Sequence, residues 1–320
     1  MSVDILSQLI IITTHDCNLR CKYCPVSKKK NNIKTEFAKK AIRLFLSLNR
    51  HSKDQLVIKF FGGEPFLCFG LIKEVVSCAK KLAGKKKINF QISTNGTLLD
   101  DKTDYLEKHK NISISLSLDG DYSASAVNRR GISEKAYKNI INNKKITSLK
   151  GLVVNMVIAP GQAASFHDNF LYLQQKGFKK FNFLPAYFVL WKKNQLKELI
   201  SGFDRVYDLY KKNKKTMILP KNTEVSGRLV FFNEGIVVDH NGDIFFNNAV
   251  LSERFHSLRS KFKAGNISNI KEKDLLLRLK RYRSYDPMLL LKKQTPRNIF
   301  LSTMLADRIL SRFIRKLTGK

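Results

Sequence analysis

Through the first two thirds of the chain, short runs of Ile, Val, Leu and Phe recur at about Leu9–Thr13, Leu56–Phe61, Ile88–Ser93, Ile112–Leu118, Leu152–Ile158 and Lys180–Leu184. Runs this short and this apolar read as strands buried on both faces of a parallel sheet. Between them, apolar positions recur at helical spacing over Glu36–Asn49, Leu71–Leu82, Lys102–Lys108, Glu134–Asn143 and Phe166–Lys176. Repeated strand–helix alternation predicts an α/β architecture with right-handed crossovers. The pattern alone does not separate a doubly wound sheet from a barrel. A long helix is predicted at about Lys193–Lys212. The texture changes after Pro220: Leu229–Phe232, Gly235–Val238 and Asp243–Phe246 read as short antiparallel strands around a His240-Asn241-Gly242 turn. From Lys271 onward the chain reads as two basic helices broken near Pro287 and Pro296.

Composition narrows the class. A chain of 320 residues with 43% hydrophobic residues buries a large core and suits one domain with an appendage. No apolar run approaches the roughly 20 residues that a membrane span requires. Met1 to Leu9 contains Asp4 and lacks a basic leader, so secretion is not indicated and a reducing cytoplasm is expected. The formal net charge of +33 has two readings. It suits a nucleic acid, an anionic membrane surface or an acidic peptide as partner. It is equally what lysines decorating a solvated surface produce, and clusters such as Lys28-Lys29-Lys30 and Lys85-Lys86-Lys87 carry no interleaved aromatics, which favours that second reading.

The chemistry is concentrated in one loop. Cys17, Cys21 and Cys24, spaced C-x3-C-x2-C, follow directly on the first strand. Three thiolates on one short loop can each hold one iron of a cubane cluster, leaving one iron without a protein ligand. An odd total of 5 cysteines argues against a disulfide framework. Zinc would need a fourth ligand, and His15 and Asp16 are poorly placed to supply it. Other polar groups stand at strand ends. The second strand runs into Gly62-Gly63-Glu64-Pro65, where glycines let backbone approach a ligand or simply form a turn. The third ends in Ser93-Thr94-Asn95-Gly96, which also reads as a turn or helix cap. The fourth ends in Ser117-Leu118-Asp119-Gly120, with Arg129 ten residues after Asp119. The fifth carries Asn155 among apolar neighbours. Cys68 and Cys78 read as buried apolar residues, and His167, His240 and His256 as isolated structural or exposed histidines.

In this order and at these strand ends, the motifs resemble those of the radical S-adenosylmethionine (radical SAM) superfamily over roughly residues 8–190. The resemblance implies a partial (β/α)6 TIM-like barrel with a small C-terminal α+β appendage, and an active site at the C-terminal strand ends. It implies two cofactors, a [4Fe–4S] cluster on Cys17, Cys21 and Cys24, and S-adenosyl-L-methionine (SAM). Tyr23 fits the aromatic preference before the third cysteine. By the same resemblance, Gly62, Gly63, Glu64 and Pro65 hold the methionine amino group, and Ser93 and Asn95 lie over the cofactor. Ser117 and Asp119 suit the ribose hydroxyls, Arg129 the cofactor carboxylate, and Asn155 reaches the cofactor with Val157 or Ile158 on the adenine. Arg130 leaves the register of the arginine open by one residue. No catalytic acid or base is named.

Within the superfamily the motif set is similar to the branch that matures peptides and proteins, including anaerobic sulfatase-maturating enzymes, whose SPASM or twitch domain binds auxiliary clusters. Val238 to Asn247 resembles that domain's hairpin and Ala264-Gly265-Asn266-Ile267 the segment after it. The auxiliary cysteines are missing: no cysteine follows Cys78, and Asn247 stands at about the place of one. The expected organisation is a radical SAM core over 1–215, a clusterless hairpin module over 216–270 and basic helices over 271–320. The implied activity is reductive SAM cleavage and hydrogen abstraction from a peptide or protein side chain, with flavodoxin or ferredoxin as reducing partner. RNA modification, favoured by charge alone, glycyl-radical activation and a non-catalytic binding module are the rivals. The last helix, about Asn298–Leu317, groups Phe300, Met304, Leu305, Ile309, Phe313 and Leu317 near one face, for packing on the barrel or for peripheral membrane contact.

Overall fold

The computed structural model describes residues 5–24, 26–53, 55–212, 234–283 and 287–319. Its strands are β1 (Gln8–Thr14), β2 (Arg20–Cys21), β3 (Leu56–Gly62), β4 (Ile88–Thr94), β5 (Ile112–Ser117), β6 (Arg129–Arg130), β7 (Leu152–Ile158), β8 (Phe181–Pro185), β9 (Glu234–Val238), β10 (Asp243–Asn247) and β11 (Gly265–Asn266). Its helices are α1 (Thr35–Leu48), α2 (Phe69–Ala83), α3 (Thr103–Lys108), α4 (Tyr122–Asn128), α5 (Glu134–Ile141), α6 (Lys144–Ser148), α7 (Phe166–Gln175), α8 (Lys193–Lys212), α9 (Arg259–Phe262), α10 (Glu272–Arg283), α11 (Pro287–Lys293) and α12 (Arg297–Thr318). The strand expected at Leu229–Phe232 lies outside the described residues.

One sheet of nine strands runs in the order β11-β10-β9-β1-β3-β4-β5-β7-β8. The long strands from β1 to β8 are all parallel and add one after another in a single direction. A doubly wound sheet would reverse direction part-way. This winding is that of an open, TIM-like barrel, which settles the choice that periodicity left open.

Burial of both strand faces, as expected, holds for β1 from Leu9 to Thr14 but not for every strand. In β3 and β7 burial alternates strictly, with every second residue only half-buried. Pairing register carries this alternation across the barrel: Lys59, Gln91 and Ser113 lie side by side, as do Ser117, Asn155 and Asn182. The fully buried Ile, Val, Leu and Phe form the other face, where the helices pack, so the polar row, half-buried except for the buried Gln91 and Asn182, lines the barrel interior. A short parallel barrel left open on one side admits water to its interior, so polar side chains are tolerated there.

The C-terminal segment extends this sheet. β9 pairs parallel with β1, and β10 and β11 follow antiparallel. Gly242, at φ +83°, makes the turn between β9 and β10. Asn247 is fully buried and donates to the Tyr282 hydroxyl at 2.8 Å.

Among the described residues beyond Lys271 there are three helical segments where two helices were expected, and Pro287 stands at the first position of α11. α12 packs on the barrel through Phe300, Thr303, Ala306, Leu310, Phe313 and Ile314. This corrects the expected apolar face: Leu305 is 46% exposed. Phe313 stacks with Phe203 and meets Phe183 edge-on. The apolar stripe is therefore used within the fold. Among the described residues no helix is long and apolar enough to cross a membrane.

Candidate functional site

The C-terminal ends of β1, β3, β4 and β5 converge on the cysteine loop. Backbone bonds fix the loop at its base: His15 N donates to Asn31 O at 2.9 Å and Ile33 N to Thr13 O at 3.0 Å. Its middle is held by a two-residue ribbon, β2 with β6, which sequence reading missed because it is too short to show periodicity. That ribbon sets Cys21 opposite Arg129 and Arg20 opposite Arg130. Of the two arginines, Arg129 is buried and Arg130 exposed. Cys17 is buried, Cys21 and Cys24 half-buried, and all three are free thiols. Burial pushes the Cys17 and Cys21 thiols up. Lys28 Nζ lies 2.9 Å from Cys24 Sγ.

The Gly-Gly-Glu-Pro segment acts as a seat for this loop. Gly63 N donates to Thr14 O at 2.7 Å and Glu64 N to Asp16 O at 2.8 Å. These amide hydrogens are thus spent on the cysteine loop and do not face a ligand. A Cβ on Gly63 would stand 1.8 Å from Asp16 O, so only glycine permits the approach. Glu64 is fully buried, with its carboxylate accepting from Asn95 N at 2.7 Å, Thr94 Oγ1 at 2.8 Å and Phe66 N at 3.0 Å. Burial raises its pKa, against those three donors. Pro65 is buried beside it. Asn95 also turns to the loop, donating to Asn18 Oδ1 at 2.8 Å with Cys17 Sγ at 3.8 Å. Ser93 is half-buried on the interior face of β4.

Across the loop, Asp119 is buried and accepts from Arg129 Nη2 at 2.8 Å, the Tyr23 hydroxyl at 2.5 Å and Val157 N at 3.3 Å. Burial works against the charge of Arg129, but Asp119 beside it raises the guanidinium above its ordinary value. Ser117 and Asn155 are register partners, and Asn155 Oδ1 accepts from Asn182 at 2.8 Å. Among the described residues, two buried side-chain atoms have no hydrogen-bond partner, Arg129 Nε and Asn182 Oδ1. Such atoms are costly unless a ligand or water completes them. With three thiols on one loop, they fit a site that takes an iron–sulfur cluster and a polar organic cofactor. Asn182 escaped the sequence reading, although its inward parity beside Asn155 was a usable signal.

His240 is not isolated, contrary to expectation. Its Nδ1 lies 3.1 Å from Asp239 Oδ1, and its ring meets that of His15 edge-on at 4.6 Å. The pairing joins segments more than 220 residues apart, which no local pattern reveals. His167 pairs with exposed Asp168, and His256 is exposed. Cys68 and Cys78 are half-buried rather than buried.

The sequence profile of the radical SAM superfamily matches residues 11–166. The chain is 38% identical over 120 residues to an uncharacterized protein of Methanocaldococcus jannaschii, covering 37% of this chain and 40% of that one. It is 29% identical to the GTP 3′,8-cyclase of Clostridium botulinum, over 53% of each chain. It is 28% identical to a cysteine-type anaerobic sulfatase-maturating enzyme of Clostridium novyi, over 57% of this chain and 51% of that one. The chain thus spans about half the length, or less, of these curated relatives. Among solved structures, anSMEcpe with bound AdoMet and the Cp18Cys peptide superposes with a TM-score of 0.72 over 98% of both chains, at 18% identity. At that identity the likeness concerns the fold.

Proposed function

We propose, from the premise that residues 11–166 form a radical SAM domain, that the protein is a radical SAM enzyme carrying one [4Fe–4S] cluster on Cys17, Cys21 and Cys24. When bound, the cluster and SAM supply one-electron cleavage of the sulfonium and a 5′-deoxyadenosyl radical that abstracts hydrogen from substrate. The observation that carries the reading is the convergence of three free thiols with the ends of β3, β4 and β5 on one loop. Gly62 and Gly63 let the backbone of β3 close on that loop, and Glu64 orders it through Thr94 and Asn95. The residues nearest a bound cofactor are Ser93, Ser117, Asn155, Asn182 and Arg129, the last retaining a free Nε for a carboxylate. Tyr23 and Arg129 hold the Asp119 carboxyl in place through hydrogen bonds, on the side of the loop where Cys21 pairs with Arg129.

The favoured substrate is a peptide or protein side chain. Support comes from the relative named as a sulfatase-maturating enzyme and from the fold shared with a peptide-bound structure. A flavodoxin or ferredoxin is the proposed reductant. The charge of +33 keeps RNA as a second reading, which steep loss of RNA binding with salt would support.

Anaerobic reconstitution with iron and sulfide, then dithionite and SAM, tests the chemistry. Four irons per chain, to about one significant figure, and 5′-deoxyadenosine that disappears in Cys21→Ala are expected. A protein that binds no cluster, or binds one and never cleaves SAM, overturns the reading.

A further inference from the structure

The cysteine loop is strapped along its length to the C-terminal module. His15 Nε2 lies 2.6 Å from Asp239 Oδ1, both side chains buried. Asn31 Nδ2 lies 3.3 Å from His240 Nε2. Val26 forms a bridge with Ser252, and Ser27 Oγ donates to Glu253 at 2.6 Å. Thus residues 15 to 31, with the three cysteines between them, are held at both ends by residues 239 to 253.

Asp239 is the centre of this strap. Its Oδ1 accepts from His15, from His240 Nδ1 at 3.1 Å and from His240 N at 2.8 Å. Its Oδ2 accepts from Arg259 Nη2 at 2.6 Å, and the Arg259 guanidinium stacks over Phe245. Burial by itself would raise the Asp239 carboxyl. The hydrogen bonds from His15, His240 and Arg259 hold it well below the usual carboxylate range.

His15, Asp239 and His240 also have the composition of a metal site, with their ligand atoms within 4.8 Å of one another. The hydrogen bonds argue otherwise. Asn31 donating to His240 Nε2 leaves Nδ1 as the protonated nitrogen, and four donors saturate the carboxylate. A metal ion would have to displace them.

We propose that Asp239 is a positioning residue for the iron–sulfur site: acting through His15, it anchors the loop that bears Cys17, Cys21 and Cys24. On this view the β9–β10 hairpin, which has no cluster-binding cysteines, serves the active site as the clamp that holds its cluster loop. The proposal rests on the radical SAM reading for the identity of what the loop holds. The clamp itself is a matter of this chain's own contacts.

The test compares wild type with Asp239→Asn, His15→Gln and His15→Phe in the full chain. Three readouts are taken: iron content with the kinetics of SAM cleavage, the EPR spectrum of the reduced cluster with and without SAM, and hydrogen exchange over residues 15–31. Asp239→Asn is expected to load iron but to cleave SAM about 10–100-fold more slowly per cluster, as when a group that orients a metal ligand is lost. Its SAM-dependent EPR change should be altered, and exchange should quicken over 15–31 while β3 to β8 stay protected. His15→Gln, which keeps an amide donor for Asp239, should recover most of the rate, and His15→Phe should not. Per-cluster rate and loop exchange equal to wild type in Asp239→Asn and in His15→Phe overturn the proposal. So does faster exchange spread over the whole chain, which marks a merely structural role. Stoichiometric cobalt(II) binding by a variant with all three cysteines changed to alanine also overturns it, by making Asp239 a ligand. Wild type that never cleaves SAM sinks the enzyme reading instead, and the exchange comparison still decides the clamp.

Discussion

At the scale of single residues, the site is built from close approaches that tolerate little change. Gly63→Ala places a methyl group against the Asp16 carbonyl, a backbone atom that cannot swing aside. Overpacking of this kind costs about 1–3 kcal/mol, or more where backbone must move. Lower thermal stability and reduced iron uptake are expected together, measured by calorimetry and iron assay. Glu64 and Asp239 are both buried carboxylates with opposite tendencies. Burial raises Glu64, so its ionisation subtracts from stability as pH rises. Asp239 is depressed, so its contribution is present above the unfolded value, about 3.9, and is lost as pH falls through the folded one. Denaturant midpoints of the apoprotein between neutral and acid pH should therefore fall more steeply in wild type than in Asp239→Asn. Equal slopes would show that the carboxylate is not held ionised by its partners.

At the scale of elements, strand ends matter more than strand interiors. β1, β3, β4 and β5 each deliver a turn to the same place, and β2 with β6 closes over it from the side. α12 serves a different end of the construction. Its Thr303, Ser302 and Asp307 side chains bond to Phe188 N, Trp191 N and the Tyr187 hydroxyl, fixing the chain between β8 and α8. Phe188 there adopts φ +57°, a conformation a bulky residue holds only when its surroundings impose it. Phe313 is the apolar anchor of the helix. Phe313→Ala is expected to cost about 3–5 kcal/mol in chemical unfolding. A loss under about 1 kcal/mol would mean that the helix is held chiefly by its polar contacts.

At the scale of the whole molecule, a single buried core runs from β1 through α12, and the expected clusterless module adds its strands to the edge of the barrel sheet. A continuous core predicts one cooperative transition. The chain has 1 Trp, Trp191, buried between the barrel and α12. Its fluorescence and the far-ultraviolet circular dichroism should follow the same thermal curve. Two separated transitions would show that the C-terminal part melts as a unit of its own.

What the sequence determined by itself was local or ordered along the chain. Runs of branched apolar residues mark β1, β3, β4, β5, β7 and β8 to within a residue or two, because burial of one strand is a property of adjacent side chains. The spacing of Cys17, Cys21 and Cys24 shows that three thiols share a loop, and the motifs at successive strand ends show their order around it. Only the tertiary structure decided what depends on through-space pairing. The single direction of winding made the sheet a barrel rather than a doubly wound layer. The ribbon of β2 and β6 turned Arg129, and not Arg130, toward Asp119. The meeting of His15 with Asp239 needed two segments far apart in sequence to share one sheet edge. Periodicity reports which face of an element is apolar; it carries no information on which distant element will cover that face, because partners are selected by packing and hydrogen-bond satisfaction over the whole fold.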